Sequence, residues 1–321
     1  MAGYVTMADY SAQLAKQGKT QASGIVNLMR QQNRLFDVLQ FKETNTPGGT
    51  ELVPVEGSLP NVDWRIINKG TTETKGSFKT LSFTCGGLES FCKVDEKLIQ
   101  VCGAEYGSAQ NVAHMTAMAN KVASTFFYGN EAATPEGFTG LSTYYDTVDN
   151  EQVFSGVGEG PLTSVWFCSF GPHSLYGIHP RGVPTGFQVH QNGIVKEERD
   201  GLELHCYEYQ YNWDMGLALV DSRACARVAN VDITASTENL LAIFHISLAS
   251  AYAATTGRPG ETLVCFANRK ALAYILEASC ICGFSLTYQD FKGKITPHIF
   301  GVPVLVCEAL SMNEDRVPSA S

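Results

Sequence analysis

Seven histidines and ten cysteines are the side chains through which this chain could bind metal or attack a substrate, and their spacing supports neither. His173 and His179 stand six apart in FGPHSLYGIHP, a Gly/Pro-rich loop, with His190 further on. Neither HExxH nor His-x-His occurs, so no two imidazoles are placed on one helix face or strand for a shared ion. Cys280-Ile281-Cys282 is too tight to clamp zinc unaided, and CxxC is absent. A nucleophile elbow, GxSxG, is missing, and no cysteine sits in a recognisable catalytic pattern. GNEAATPEGFTGL at 129–141 is the glycine-rich segment to try as a phosphate cradle. It has no GK[ST], Glu131 and Glu136 repel phosphate, and it follows a helix instead of opening one, so it reads as a structural turn. The Glu197–Glu198 pair in VKEERDG reads as a solvated turn, not an acid/base pair in a cleft.

One aromatic constellation could bind a ligand without catalysing anything. YEYQYNWD places Tyr207, Tyr209, Tyr211 and Trp213 on one strand face, where stacked rings could hold a sugar. Aromatics are equally the residues that fill strand cores, and nothing marks this face as exposed, so the core reading is preferred. His245, one turn after Leu241 in an amphipathic run, reads as a structural histidine. The sequence therefore assigns no catalytic residue, no metal ligand and no cofactor.

The elements around these residues are more informative than the residues themselves. A chain of 321 residues with 44% hydrophobic and 17% charged content has room for a real core. Its net charge of −9 argues against a protein whose main task is gripping nucleic acid. Cys85, Cys102, Cys168, Cys206, Cys265 and Cys307 sit among apolar or small neighbours and read as small buried hydrophobes. With no leader pattern at the amino end, a reduced interior compartment is expected. The most apolar run, LLAIFHISLASAYAA at 240–254, is interrupted by polar residues and is too short to span a bilayer.

Residues 1–44 read as an arm with a slight positive excess and a helix around IVNLMRQQNRLFDVL, ended by TNTPGG. Asp95 offers an N-cap to KVDEKLI. The strongest helical pattern follows. Val112, Met115, Ala119, Val122 and Phe126 step by three and four along one apolar stripe, and Gly129 fits a left-handed closing position. The middle, 141–235, is rich in strands such as SVWFCSF. A helix from near Ser236 carries Leu241, Phe244, Leu248 and Ala251 and stops at Gly257. TLVCFA is a buried-type strand, Asn268 caps a helix through Ala271 and Ile275, and GVPVLVCEAL reads as a last strand. Strands and helices mix without regular βαβ alternation, which favours α+β.

One stretch stands out. In LPNVDWRIINKG at 59–70, Val62, Trp64 and Ile66 alternate with Asp63 and Arg65, and Leu81, Phe83 and Cys85 alternate again in FKTLSFTC. Two such strands form a hairpin that is marginal alone. Its apolar face needs cover from elsewhere.

These features resemble, in order, the major capsid proteins of tailed bacteriophages with the Hong Kong 97-type fold, and are most similar to the epsilon-fifteen-like podovirus branch. The likeness rests on LPNVDWRIINKG, on GSFKTLSFTCGGLESFCKVDEKL at 76–98 and on FFYGNEAATPEGFTGL at 126–141. It continues through YNWDMGLALVDSRACARVANVD at 211–232, TLVCFANRKAL at 262–272 and FGVPVLVCEAL at 300–310. It implies an N-terminal arm at 1–44, an extended β-hairpin loop at 45–84, a peripheral domain at 85–140 with a spine helix, an axial domain at 141–285, and C-terminal strands at 286–321. Val62, Trp64, Arg65, Ile66, Leu81 and Phe83 would then make inter-subunit contacts, and Gly103 and Gly107 would be hinges. The resemblance further implies a homo-oligomer of hexamers and pentamers in an icosahedral virion shell around double-stranded DNA, assembled in the host cytoplasm. Its partners would be a portal protein, a decoration protein and packaged DNA in weak non-specific contact, with no membrane involved. About forty residues precede the loop, so a separate scaffolding protein is expected. Lys69 and Lys75 are candidates for the loop cross-link of some relatives, though exposed hairpin lysines ordinarily serve solubility. A cellular nanocompartment shell of the same fold is the alternative, and a carbohydrate-binding module or enzyme a distant one.

Overall fold

The computed structural model describes residues 5–16, 33–65, 67–102, 104–148, 150–156, 160–199, 201–234, 238–255, 257–283 and 286–319. From the amino end run β1 (Val5–Thr6), α1 (Met7–Lys16), α2 (Leu35–Val38) and β2 (Gln40–Glu43). The strands β3 (Thr50–Ser58) and β4 (Ser77–Asp95) follow, then α3 (Glu96–Cys102), the long α4 (Ala104–Tyr128) and a single turn, α5 (Leu141–Tyr144). The middle holds β5 (Val153–Ser155), β6 (Leu162–Phe170), β7 (Leu175–His179), β8 (Gln188–Arg199), β9 (Leu202–Leu219) and β10 (Cys225–Asp232). Last come α6 (Glu238–Ala254), β11 (Thr262–Ala267), α7 (Arg269–Ile281), β12 (Thr287–Phe291), β13 (Lys294–Ile299) and β14 (Val302–Val306).

β6 is buried along its whole length and separates two cores. Because successive strand side chains point to opposite faces, Val165 and Phe167 enter one core while Trp166, Cys168 and Phe170 enter the other. Antiparallel β10 and β11 flank β6, and β14 lies parallel to β11. α6 and α7 close the smaller core with Leu241, Phe244, Leu248, Ala271 and Ile275. Asn268 starts α7 by accepting the Ala271 N–H at 2.7 Å, the N-cap bond that satisfies an otherwise orphaned donor.

The larger core lies under α4. Here β4 pairs antiparallel with β9 from Cys85↔Gly216 to Asp95↔Cys206, and β8 pairs along the other edge of β9. The β8–β9 turn closes at Arg199↔Leu202, with Gly201 at φ 77° supplying the left-handed residue a tight hairpin requires. Tyr211 and Trp213 of the aromatic stripe are fully buried against Phe187 and Phe36, so no exposed stacking platform exists there. Asp95 accepts the Lys97 N–H at 2.8 Å at the start of α3. No helix among the described residues is long and apolar enough to cross a membrane.

The structure corrects several expectations. Residues 33–44, assigned above to the arm, contribute Leu35, Phe36, Val38, Leu39 and Phe41 to the larger core. Arg34 binds Thr296 Oγ1 at 2.9 Å and the Phe291 carbonyl at 3.2 Å, which joins this segment to β12 and β13. Leu28 and most of the helix expected around it lie outside the described residues. Gly129 ends α4 without a positive φ. It is glycine because a Cβ there would stand 2.3 Å from the Phe138 carbonyl oxygen and 2.6 Å from that of Thr125. Cys102 is exposed at the end of α3, not buried.

Candidate assembly surface

The extended hairpin is built from a fixed root and an uncovered tip. β3 and β4 pair from Thr50↔Thr84 to Ser58↔Ser77. At the root Glu51 is buried, with one carboxylate oxygen 2.5 Å from Lys42 Nζ and the other accepting the Asn45 N–H at 2.8 Å. The Asn45 side chain spans the Leu52 backbone, donating to its carbonyl at 2.7 Å and accepting its N–H at 3.0 Å. Val53 and Leu81, opposite each other, pack on the larger core, and Phe83 is buried in it at 6% exposure. Phe83 is thus covered by its own chain, and Leu81 is partly covered by it.

Beyond Ser58 the pairing stops. Of the strand expected around Val62 and Trp64, none forms among the described residues 59–65 and 67–76. Isolated bonds shape this connection: Thr74 Oγ1 donates to the Asn61 carbonyl at 2.6 Å, and Arg65 Nε to that of Lys69 at 3.2 Å. Trp64 is fully solvent-exposed at 101%, and Leu59, Val62, Ile67 and Phe78 are exposed with it. Ile66 lies outside the described residues. Lys69 and Lys75 are exposed on the same connection. Together Leu59, Val62, Trp64, Ile67 and Phe78 leave the tip with an uncovered apolar surface.

α4 presents Met115, Ala119, Val122 and Phe126 inward, all buried, together with Met118, Ala123 and Phe127. Val112 is 37% exposed. The first half of α4 meets the ribbon through polar contacts, Tyr211 with Asn111 and Ser90 with His114, and these cover only the arc facing the ribbon. Val112 falls outside it, whereas the second half is enclosed more widely. Gly107 lies inside α4, and Gly103 is outside the described residues. A second uncovered apolar surface, which sequence reading missed, is the outer face of α6 with Ile243 and Ile246. The signal was available: this helix is apolar all round, the mark of one covered on both sides.

Among the described residues no group of three His, Cys, Asp or Glu lies together to hold a metal ion. His179 Nδ1 faces the Pro180 and Val183 carbonyls, and its Nε2 lies 3.0 Å from Thr185 Oγ1, a loop-bracing role. The Cys85 thiol is pushed up to about 12 by burial, then by the charges of Asp214 and Glu51, and Cys265 is raised by burial. A nucleophilic cysteine needs the opposite shift.

A long helix lying on an antiparallel ribbon, a second core and an extended hairpin make up the Hong Kong 97-type fold of phage capsid proteins. The chain belongs to the major capsid protein GP7 family, whose model matches residues 16–318. It is similar to the structure of bacteriophage epsilon15 at 22% identity, with a TM-score of 0.67 over 88% of each chain. Weaker likenesses join it to the bacteriophage JBD30 capsid (11% identity, TM-score 0.48, 87% of this chain and 90% of that one). Weaker still is the holo-SrpI encapsulin complex of Synechococcus elongatus (11% identity, TM-score 0.44, 63% and 88%). No curated protein matches. The chain is a structural component of a phage virion, acting in many copies as the shell.

Proposed function

We propose that the 59–76 tip closes each subunit onto an adjacent copy, and that rings of six and of five subunits joined this way build an icosahedral shell around double-stranded DNA. The observation that carries this is Trp64, wholly exposed at the end of a hairpin whose root is pinned by Glu51 and Asn45. Covering Leu59, Val62, Trp64, Ile67 and Phe78 gives roughly 8–15 kcal/mol gross, at about 1.5–3 kcal/mol per side chain. Association costs an estimated ~4–15 kcal/mol. A single contact is near balance, so two subunits pair weakly. In a ring each subunit gives one tip and receives one, and this head-to-tail contact closes without repeating the whole entropic cost. Assembly is therefore cooperative.

The same reading includes assembly in the host cytoplasm with a separate scaffolding protein, a portal protein at one vertex and a decoration protein outside. The net charge of −9 suits a lining along which packaged DNA slides, since each added phosphate contact strengthens salt-sensitive adhesion. Reorientation during maturation would bend the loop and tilt α4 about the 103–107 region, where glycine lowers helix stability. Trp64→Ala is the direct test. Expressed shells counted by electron microscopy should fall at least tenfold while the free subunit melts at the wild-type temperature. Wild-type yield and shell stability would remove the tip from the role of clasp.

A further inference from the structure

β6 and β10 run antiparallel, and their register sets Cys225 directly opposite Cys168. Antiparallel partners alternate between pairs that exchange backbone hydrogen bonds and pairs that do not, and side chains stand closer in the second kind. The neighbouring strand decides which kind this is. The Arg227 N–H donates to the Gln152 carbonyl at 2.8 Å, and Arg227 is aligned with Val153 of parallel β5. Its amide therefore faces β5 and points away from β6. Cys225, two residues earlier on the same strand, shares that orientation, so Cys225 and Cys168 form a non-hydrogen-bonded pair. Such partners have Cα atoms about 4.5 Å apart, inside the range of about 4.4–6.8 Å that a disulfide requires. Both side chains are fully buried and belong to the larger core. Cys265 on β11 lies opposite Phe167 and enters the smaller core on the other face of the sheet, which keeps it out of the pair. Burial raises the Cys168 thiol, and contact with the Cys225 thiol raises it further. The Cys168 sulfur is thus held protonated within reach of its partner.

We propose that Cys168 and Cys225 are an oxidisable staple within each subunit: two thiols in a reducing cell, a disulfide between β6 and β10 once the protein stands in an oxidising medium. It rests on the proposed function only in taking the shell to be built in a reducing cytoplasm. The oxidant is a low-molecular-weight disulfide. One cysteine thiolate attacks it, forming a mixed disulfide and releasing one small thiol. The second thiolate then displaces the other small thiol, and the protein S–S bond forms. Two protein thiols are oxidised, one small disulfide is reduced to two thiols, and the two protons end on those thiols. A mixed disulfide does not fit a close-packed core, so exchange takes place while β10 is transiently away from β6. Closure of the core then shields the bond from reductant. The bond closes a loop of about sixty residues, and a cross-link of that span restricts the unfolded chain strongly.

The test uses the full chain with Cys102 and Cys280, both exposed, replaced by serine. Cells lysed directly into denaturant with N-ethylmaleimide should yield Cys168 and Cys225 as separate alkylated thiols. A bridge already complete at that point overturns the switch. A second sample is purified, incubated with oxidised glutathione a few degrees below its melting temperature, then denatured and alkylated. Mass spectrometry of a non-reduced digest should find a peptide pair joining Cys168 to Cys225, lighter by two hydrogens than the two free thiols. The melting temperature of the oxidised chain should rise by about 4–8 °C, fall back after reduction in denaturant and refolding, and stay unchanged in Cys225→Ala treated the same way. Should Cys225→Ala not fold, the comparison of oxidised with re-reduced protein decides without it. Cys168 and Cys225 recovered as separate thiols after oxidation overturn the proposal, and so does a cross-link that leaves the melting temperature unchanged or lower. The thiols are read on the chain itself, so either negative result leaves the role of the hairpin tip untouched.

Discussion

Arg227 and Glu314 meet inside the protein, Nη2 to Oε2 at 2.9 Å, with side chains only 5% and 6% exposed. The pair is fully supported. Arg227 also donates to Ser164 Oγ at 3.0 Å and to the Tyr145 carbonyl at 2.9 Å, and its guanidinium stacks over Trp166. Glu314 accepts from the Tyr128 and Ser164 hydroxyls. Burial, and then the charge of Glu314, raises the Tyr128 pKa, so that hydroxyl remains a donor. The C-terminal segment, the end of α4, β6 and β10 are thereby tied at one point.

Removing one partner of such a pair strands the other charge in a poorly solvated site, which costs about 3–5 kcal/mol. Glu314→Ala should lower the unfolding free energy of the unassembled subunit by that amount, and Tyr128→Phe by about 1 kcal/mol. Guanidinium titration checks both. A Glu314→Ala subunit as stable as wild type would show that the network contributes nothing to the fold.

Gly129 yields a sharper structural expectation. Its N–H donates to the Thr125 carbonyl at 2.8 Å and its carbonyl accepts the Gly140 N–H at 2.9 Å, which leaves no room for a methyl group between them. Gly129→Ala should destabilise by about 3 kcal/mol or more, at the upper end for overpacked sites. Gly182→Ala, at φ +81° with nothing within 4 Å, should cost only about 1 kcal/mol through backbone conformation. Melting temperatures of the two variants give the comparison.

His245 provides a pH dependence. Burial lowers its pKa from the ordinary 6.5, and the ring packs edge-on to Phe300. The fold therefore holds the neutral form. Above about 6.5 neither state is protonated and the group is silent. As pH falls below that value the unfolded chain binds a proton first, and stability drops until the folded pKa is passed. The loss has a ceiling of about 1.4 kcal/mol per pH unit. His245→Gln should show a shallower fall between pH 6.5 and 5 than wild type in denaturant midpoints. Parallel curves would show that the residue does not titrate differently on folding.

What was legible in the sequence follows from how local each signal is. The helix over 104–128, the cap at Asn268 and the buried run of β6 depend on near neighbours and on side-chain period, and they were read directly. The hairpin was recognised but displaced. The first strand of the hairpin is β3, in which Pro54 pairs with Thr80 at the sheet edge, where proline is tolerated. The alternation around Trp64, without a partner strand, produced no strand at all. Gly86 and Gly87 concealed that β4 continues to Asp95, because the turn at 136–137 that presses against Gly86 arrives from fifty residues away. The Arg227–Glu314 pair joins distant segments, and no spacing rule in one sequence can bring them together.

The outer face of α6 tests whether the loop is the only contact between copies. Leu241, Phe244, Leu248 and Ala251 point inward and are buried, while Ile246 is 63% exposed with Ile243 beside it. A helix that spends apolar residues on its outer face gains from them only when a neighbour covers that face. Ile246→Lys should leave the free subunit's stability within about 0.5 kcal/mol of wild type, as for other surface changes. The added charge would then be buried unpaired at every copy of the contact in a ring, which is strongly unfavourable, and closed shells should disappear from sedimentation profiles. Leu248→Lys, by contrast, should unfold the subunit itself. Normal shells from Ile246→Lys would place this face on the open surface of the particle and leave the hairpin tip to hold neighbouring subunits together.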